Sequence, residues 1–335
     1  MKTEFLKITD NLEDLKAAGE IIKNGGLVAF PTETVYGIGA NGLNENAAEK
    51  IYAAKNRPAD NPLILHVNDV SQVVEIGEIN ETAKKLFEAF SPGPLTVILK
   101  KKSIVPDCTT GGLDTVAVRI PSAEIARRII EYSGCPIAAP SANLSGKPSP
   151  TAFEHVRDDL NGRVDMIVDG GGIEVGIEST IIDSTKGAPV ILRPGGITLE
   201  MVQEIFPDAT EAKQPEEADE NYKPPCPGMK YKHYAPKAHV TVFERRELIK
   251  EEIEKLRCEN KKIGVFCHDD SKFDGDSIIR WGKTAKDMAR LMFWALREFD
   301  SQGMDVVLCE MPEKGGLGSG IRNRLYKSAG YDIRR

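Results

Sequence analysis

The 335-residue sequence has few of the features that mark secreted, membrane-bound or zinc-binding proteins. Its six cysteines include no CxxC pair and have no zinc-type spacing to the five histidines, so we expect reduced, mostly structural thiols. No apolar run is long enough to span a bilayer, and the N-terminal MKTEFLKITDNLEDL carries acidic residues where a signal peptide would be apolar. These absences predict a cytoplasmic location and no membrane partner.

The sequence also lacks a strong charge of one sign. With 44 basic and 51 acidic residues the net charge is −7, which does not indicate a nucleic-acid-binding protein as a whole. A local basic surface stays open, with the three lysines at 100–102 as a candidate, although such a run is also typical of a solvated strand end. The composition, 41% hydrophobic and 28% charged, is that of a globular protein, and the length predicts two domains.

Alternating helix and strand patterns predict an α/β first domain over residues 1–200. Apolar residues at helical spacing occupy 10–24, 45–54, 81–90, 123–132 and 151–157. Strand patterns lie at 27–30, 63–67, 95–100, 115–120, 136–139, 164–168, 178–183 and 189–192. Some successive strands have no helix between them, which predicts a mixed rather than a purely parallel sheet.

The rest of the chain predicts a linker over 201–237 and a smaller Rossmann-like domain over 238–335. The acidic stretch at 211–220 is expected to be mobile, whereas the tyrosines and prolines of 222–236 favour a stiff segment that covers a cleft. In the second domain, strand patterns lie near 239–243, 262–267, 277–281 and 304–309, and helical patterns at 247–256, 285–299 and 320–329. GGLGSG at 315–320 does not have dinucleotide-binding spacing, so we interpret it as a turn that opens the last helix.

Two polar motifs interrupt the apolar strands of the first domain. The strand pattern at 27–30 runs into PTETVYG at 31–37, and we interpret Gly37 and the following Gly39 as part of a loop. The pattern at 136–139 runs into PSANLSG. Functional residues are common in such strand-end loops. An isolated SAN is by default an Asx or ST turn, but its small residues would also let backbone N–H groups approach a nucleotide.

Four cations stand at the ends of predicted elements. Lys55 and Arg57 end a helix before Pro58, and Arg119 and Arg193 follow apolar strands directly before turns. Each could be an ordinary surface charge, worth roughly 0.3–1 kcal/mol at a helix end. Together they suit a polyphosphate, because each contact is worth about 4 kcal/mol before desolvation at an effective dielectric of about 20 and about 4 Å.

PTETVYG, KNRP, PSANLSG and GIEST, in this order, resemble the YrdC-like superfamily. HYAP at 233–236 and GLGSGIRNRLYKSA at 316–329 are similar to its long, two-domain branch, the threonylcarbamoyl-AMP synthases. The resemblance extends over nearly the whole chain and is weakest at 207–220 and at the start of the second domain. It implies a YrdC-like mixed, twisted open sheet with helices in the first domain.

The resemblance implies a nucleotidyltransferase that condenses L-threonine, bicarbonate and ATP to threonylcarbamoyl-AMP and pyrophosphate, for threonylcarbamoyl modification of adenosine in tRNA. Mg²⁺ is expected to arrive bound to ATP, and tRNA or a tRNA-modification transferase is the implied partner. One alternative is a non-catalytic module that binds double-stranded RNA or tRNA. Another is carbamoyl transfer as in hydrogenase maturation, against which the lack of acylphosphatase and zinc-finger segments argues.

The same resemblance implies site residues, motif by motif. The pair Lys55 and Arg57 would be catalytic, because it would offset charge that develops on the phosphates. ATP contacts are implied at Lys55, Arg57, Asn61, Thr115, Ser141, Asn143, Ser149, Arg193 and Tyr234. Threonine contacts are implied at Thr34, His66, Arg119, Ala139 and Ser179, with Ala139 offering its backbone. No residue is implied as a metal ligand.

Overall fold

The computed structural model describes residues 2–9, 11–212, 226 and 233–335. Two β-sheets organise this part of the chain, and we refer to each sheet with its helices as the first and the second domain. Most of the predicted linker, including most of its acidic stretch, lies outside the described residues.

The first sheet is mixed and has twelve strands in the described residues. They are β1 (Glu4–Lys7), β2 (Val28–Pro31), β3 (Tyr36–Asn41), β4 (Ile64–His66), β5 (Gly77–Glu78), β6 (Leu95–Lys101), β7 (Thr115–Arg119), β8 (Ile137–Ala138), β9 (Met166–Asp169), β10 (Thr180–Asp183), β11 (Val190–Arg193) and β12 (Thr210–Glu211). Their order is β1-β9-β2-β3-β8-β4-β7-β6-β10-β11-β12, and β5 pairs with β6 outside this path. β3 pairs antiparallel with β2 and β8, whereas β4 and β7 are parallel. The prediction of a mixed α/β fold is confirmed.

Helices cover both faces of this sheet. They are α1 (Leu15–Lys23), α2 (Glu45–Lys55), α3 (Val70–Ile76), α4 (Glu81–Phe90), α5 (Asp107–Thr110), α6 (Glu124–Ser133), α7 (Phe153–Leu160) and α8 (Leu199–Gln203). Successive side chains of a strand point to opposite faces. Val28 and Phe30 of β2 pack in one core with residues of α1 and α6, while Ala29 packs in another with residues of α2 and α4. β2 is therefore buried on both sides.

The second sheet is parallel in all its described pairings. Its strands are β13 (His239–Phe243), β14 (Ile263–Cys267), β15 (Ser277–Arg280), β16 (Val306–Glu310) and β17 (Ile333–Arg334), in the order β15-β14-β16-β13-β17. Its helices are α9 (Leu248–Cys258), α10 (Ala285–Ser301) and α11 (Leu317–Ser328). Gly315 and Gly316 open α11, with Gly316 as its N-cap, but the helix begins at Leu317, so the rest of GGLGSG is helical rather than part of the predicted turn. No helix in the described residues has the length and apolar character needed to cross a membrane.

PTETVYG folds differently from the predicted loop. Its last residues, Tyr36 and Gly37, begin strand β3, which lies between β2 and β8 and also contains Gly39. A Cβ on Gly39 would lie 2.6 Å from a ring carbon of Phe30 and 2.8 Å from a methyl group of Ile137, so neighbouring side chains fill the space above this glycine. The strand was not recognised because glycines replace the apolar side chains that normally reveal one.

The two domains share an apolar core. Its members from the first domain, the predicted linker and the second domain include Val35, Ile177, Tyr234, Phe293 and Leu325. The backbones also approach closely, since a Cβ on Gly176 would lie 2.2 Å from the carbonyl oxygen of Ala289 in α10. Such packing makes the second domain part of one folded unit with the first.

We expect Gly176→Ala to lower the free energy of unfolding by about 1–3 kcal/mol, because the methyl group would overpack the domain contact. Chemical denaturation of the full chain measures this change. Gly171→Ala is the matched control: its φ of 80° resembles the 86° of Gly176, but an added Cβ would meet nothing within 4 Å. Equal losses in the two variants would contradict close packing between the domains.

Candidate active site

A cleft lies where several strands of the first sheet end. β4 and β7 are parallel neighbours, so their carboxyl ends meet at one edge of the sheet. β8 runs antiparallel to β4, and the residues that follow it pass Ile64 and line the cleft from there. In the register of β4 and β7, His66 lies opposite Arg119. The end of α2, the segment before β10, the end of β11 and residues 233–234 complete the lining.

Eleven of the fourteen site residues that the sequence predicted line this cleft. They are Thr34, Lys55, Arg57, His66, Arg119, Ala139, Ser141, Asn143, Ser179, Arg193 and Tyr234. Asn61, Thr115 and Ser149 do not line it. Ser149 lies directly behind the wall, because its Oγ donates a hydrogen bond of 2.5 Å to the cleft residue Glu178. The binding role of each residue stays a prediction.

Lys55 and Arg57 both reach the cleft because the helix ends between them. Asn56 is the C-cap of α2 and has a left-handed φ of 52°, which turns the chain out of the helix before Arg57. The buried Lys55 amine donates hydrogen bonds to the carbonyl oxygens of Ser141 and Asn143. Burial, and then the charge of Arg57, lower the pKa of Lys55 well below its usual range. Without a ligand, Lys55 thus holds the loop that follows β8.

The loop after β8 is closed by its own side chains. Ser141 Oγ donates to Asn143 Oδ1 at 2.5 Å, and Asn143 Nδ2 donates to the carbonyl oxygens of Leu144 and Lys147 at 2.9 Å each. These hydrogen bonds are those expected of a turn closed by side chains, which was the default interpretation of SAN. The same turn also lines the cleft, so the two interpretations of SAN are compatible.

Arg119 forms a buried ion pair with Glu33. Arg119 Nη2 lies 2.7 Å from Glu33 Oε1, and Glu33 Oε2 accepts a hydrogen bond of 3.3 Å from the N–H of Ala123. Burial alone would raise the pKa of Glu33, but the charge of Arg119 outweighs burial and holds this pKa below its usual range. Arg119 Nε is buried and has no hydrogen-bond partner in the described part of the chain. An acceptor on a ligand would satisfy this donor.

Two cleft histidines are neutral at physiological pH. Burial, and then the charge of Arg119, lower the pKa of His66 to about 3. Its Nδ1 lies 3.1 Å from the carbonyl oxygen of Ile64. Burial, and then Arg57, also lower the pKa of His233 to about 3. The buried Nε2 of His233 has no hydrogen-bond partner among the described residues. Neither ring therefore adds charge to the cleft.

The cleft is nevertheless positively charged. Its charged lining residues are Lys55, Arg57, Arg119, Arg193 and Glu178. Arg193 donates from Nε and Nη2 to the carbonyl oxygen of Ser179, at 3.1 and 2.9 Å, and this fixes the guanidinium at the end of β11. Three arginines and a lysine that a nearby anion would fully protonate, beside one carboxylate, provide a potential that attracts a polyanion.

The second domain braces the cleft with two arginines that the sequence analysis missed. Arg297 of α10 donates to the carbonyl oxygen of Pro148 at 2.6 Å and to the carboxylate of Asp159 at 2.7 Å. Arg324 of α11 is fully buried, and its Nε donates to the carboxylate of Glu178 at 2.9 Å. The ion pairs join residues 138 and 146 positions apart, a separation that local patterns do not report.

A weak sequence signal for Arg324 was present. Arg324 follows Ile321 by three residues and Leu317 by seven, so it shares their apolar stripe on α11, a helix whose residues are mostly buried. A cation on an apolar helix face is expected to be buried and therefore to be paired with a carboxylate or another acceptor. The signal indicates a partner without saying which residue it is.

The comparisons with known proteins agree with this geometry. The family of Sua5, YciO and YrdC proteins, described as telomere recombination, matches residues 20–195, and the C-terminal domain of threonylcarbamoyl-AMP synthase matches 197–330. The chain is 46% identical to the threonylcarbamoyl-AMP synthase of Pyrococcus abyssi over 99% of each chain. The chain belongs to the threonylcarbamoyl-AMP synthase family. It is also 43% identical to the threonylcarbamoyl-AMP synthase of Bacillus subtilis over 100% of each chain.

A solved structure of this family matches both domains. The crystal structure of Pyrococcus abyssi Sua5 complexed with L-threonine has a TM-score of 0.94, with 46% identity over 99% of this chain and 99% of that chain. The resemblance expected from the motifs is thereby confirmed, together with the fold class.

His66 should make stability depend on pH. Its pKa is about 3 when folded and 6.5 in the unfolded reference, so between these values the unfolded chain binds the extra proton. Stability is therefore fully present above pH 6.5 and is lost as the pH falls toward 3. We expect His66→Gln to flatten this slope by up to roughly 1.4 kcal/mol per pH unit, as measured by urea unfolding at several pH values.

His155 and His233 also have lowered pKa values, so part of the slope should remain in His66→Gln. Identical slopes in the wild type and His66→Gln would show that His66 is not held neutral by the fold.

Proposed function

We propose that this chain condenses L-threonine, bicarbonate and ATP to threonylcarbamoyl-AMP and pyrophosphate. The observation that carries the proposal is the cleft, which is lined by Lys55, Arg57 and Arg193 and also by Arg119, whose buried Nε has no partner among the described residues. The cations suit a polyphosphate, and the free donor suits a carboxylate. Membership of a family named for this product supports the assignment.

Threonine binding is assigned to the part of the cleft near Arg119. The free Nε of Arg119 would bind the α-carboxylate by a charge-assisted hydrogen bond, while Nη2 remains on Glu33. Glu33 thus holds the guanidinium in place without using the donor that faces the ligand. Thr34, His66 and Ser179 are the further polar side chains proposed for threonine, and Ala139 offers its backbone.

ATP binding is assigned to the part of the cleft near Lys55 and Arg57. The cleft near Lys55 and Arg57 is also lined by Arg193, by Tyr234 and by the turn that contains Ser141 and Asn143. A phosphate beside Lys55 would raise the pKa of its amine again, because a neighbouring negative charge favours the ammonium form. Lys55 would then be fully charged when the nucleotide is bound, which is when its charge is needed.

The proposed chemistry needs positioning and charge neutralisation rather than a protein nucleophile. The neutral amine of threonine attacks the carbon of bicarbonate, the C–OH bond breaks, and the leaving hydroxide takes a proton from the nitrogen, so that a carbamate and water are formed. A carbamate oxygen then attacks the α-phosphorus of ATP in line, and pyrophosphate leaves. Bringing three substrates together supplies much of the rate enhancement, and Lys55 and Arg57 would stabilise the charge on the phosphates.

Mg²⁺ is proposed to enter with ATP. The described residues contain no cluster of three His, Cys, Asp or Glu side chains that could hold a metal ion. Glu33 and Glu178, the carboxylates at the cleft, accept hydrogen bonds from arginines. These donors fit an ion held mainly by phosphate oxygens and water, where it would offset charge on the pyrophosphate.

Residues 233–235 are proposed to help to exclude water from the carbamate and the adenylate. The N–H of Ala235 donates to the carbonyl oxygen of Gly146 at 2.8 Å, and the ring of Tyr234 packs on that of Phe293 with centroids 5.2 Å apart. The end of the predicted lid is thus fastened to the cleft. Residues 222, 229 and 231, on which the lid prediction also relied, lie outside the described residues.

The product is proposed to be consumed in threonylcarbamoylation of adenosine in tRNA, in the cytoplasm. Threonylcarbamoyl-AMP is a reactive adenylate, so its transfer to a partner enzyme should follow closely on its formation. Lys101 in the basic run pairs with Asp107, so this run gives direct RNA binding little support.

Pyrophosphate release should require ATP, L-threonine and bicarbonate together, because the carbamate forms only from the last two and is needed to displace pyrophosphate. The measurement is release by the full chain with all three substrates, with each one omitted in turn as a control. Release without threonine would contradict the proposed synthase. Activity with carbamoyl phosphate in place of bicarbonate would favour carbamoyl transfer, and RNA binding without any release would favour the non-catalytic module.

Arg57→Met should lower kcat by about 10²–10³-fold, the loss typical when one charge-stabilising group is removed. Arg57 gives a clearer test than Lys55, because a Lys55 variant would also lose the hydrogen bonds of its amine to the carbonyl oxygens of Ser141 and Asn143. The control is Lys50→Met in α2, the helix that ends just before Arg57. The Lys50 amine donates to the carbonyl oxygen of Gly25 at 2.6 Å, outside the cleft. A folded Arg57→Met variant with near-wild-type turnover would remove Arg57 from the catalytic groups.

A further inference from the structure

Glu178 is an unexpected residue in a cleft that is proposed to bind anions. It lines the cleft directly before Ser179, and its side chain is buried. A carboxylate there would repel the phosphates of ATP unless its charge were offset. ATP binding beside this wall therefore requires a group that offsets the negative charge of Glu178.

The neutralising group comes from the second domain. Arg324 Nε donates to Glu178 Oε2 at 2.9 Å, and Arg324 Nη2 approaches the Glu178 carbonyl oxygen at 3.3 Å. Arg324 Nη1 donates to the carbonyl oxygen of Pro194, next to the proposed ATP residue Arg193. Because Arg324 is 0% exposed, this is a buried pair whose geometry the surrounding packing holds.

Glu178 in turn orients a predicted ATP residue. Its Oε1 accepts the hydrogen bond from Ser149 Oγ, so one carboxylate oxygen faces Ser149 and the other faces Arg324. Ser149 lies behind the wall of the cleft, and this contact is its described link to the site. Arg324 is thus connected to Ser149 through a single carboxylate.

We propose that Arg324 is a positioning residue of the nucleotide site, which it serves by offsetting the charge of Glu178. The proposal rests on the proposed function, since it takes ATP as the ligand. Arg324 itself touches no reacting atom. Its role makes the second domain an electrostatic part of the active site rather than an appended module.

Several titratable groups face Glu178 besides Arg324. They are Lys327 of the same helix, Arg193 at the end of β11, and His233 and Tyr234 of the segment that covers the cleft. Burial alone would raise the pKa of Glu178, but Arg324 and then Arg193 outweigh burial and hold it below its usual range. Removal of Arg324 should therefore shift this pKa toward neutral pH, and ATP binding should become dependent on pH.

The test measures the dissociation constant of MgATP by calorimetry, on the full chain, at pH 8 and pH 6. Arg324→Met should weaken binding about tenfold or more at pH 8, because an uncompensated like charge then lies beside the phosphates. The loss should shrink at pH 6, where Glu178 is partly protonated. The double variant Arg324→Met with Glu178→Gln should recover most of the affinity and lose the pH dependence.

Two further variants keep the test decisive. Glu178→Gln alone retains the cation and should bind MgATP at least as tightly as the wild type, even if Arg324→Met fails to fold. Arg257→Met removes a second-domain arginine whose side chain is 51% exposed, and it should leave MgATP binding unchanged.

The inference is overturned if folded Arg324→Met binds MgATP like the wild type, if the double variant binds as weakly as Arg324→Met, or if Glu178→Gln binds more weakly than the wild type. A purely structural role for Arg324 predicts the second of these results. A wild-type protein that binds no MgATP would overturn the proposed function and this inference with it. Unaffected variants of a wild type that binds MgATP would overturn this inference alone.

Discussion

The pairing of buried charge is the constraint on which the rest of this structure depends. A cleft that gathers cations needs carboxylates behind them, and a buried charge without a partner is strongly destabilising. Three buried carboxylates surround the cleft: Glu33 pairs with Arg119, Asp159 with Arg297 and Glu178 with Arg324. The last two arginines belong to the second domain. The position of that domain is therefore set by charge matching as well as by the shared apolar core.

The order of the strands explains why distant motifs converge. β4 and β7 are parallel neighbours, so their carboxyl ends meet and place His66 opposite Arg119. β8 lies on the other side of β4 and runs antiparallel to it, so the turn that follows β8 passes Ile64 and reaches the cleft from there, where the Lys55 amine holds it. Each motif is local in the sequence, but the cleft exists because the sheet aligns the ends of separate strands. The side chains that bind the ligand can then be short, since the backbone already brings them near.

The features that could be predicted from the sequence are those that depend on residues close together in the chain. The helix predicted at 81–90 is the observed α4, because amphipathic spacing and the Asn80 cap are local signals. β3 was missed because glycines conceal a strand whose neighbours pack over it, and α3 because seven residues are too few for a clear period. The motifs located most of the cleft. They could not locate Glu33, Arg297 or Arg324 as site residues, because each acts through a partner that the tertiary fold supplies.

The free cleft holds more positive charge than its carboxylates offset. Burial and the charge of Arg57 lower the pKa of Lys55, which favours its neutral amine. His66 and His233 are neutral because burial lowers their pKa values. A polyanion that enters the cleft relieves this imbalance, because it restores the favoured charge of Lys55 and satisfies donors that the protein leaves open. Such a ligand binds the folded state and not the unfolded chain, so its binding energy stabilises the fold by mass action. The same excess charge that favours nucleotide binding therefore makes the empty protein less stable than the loaded one.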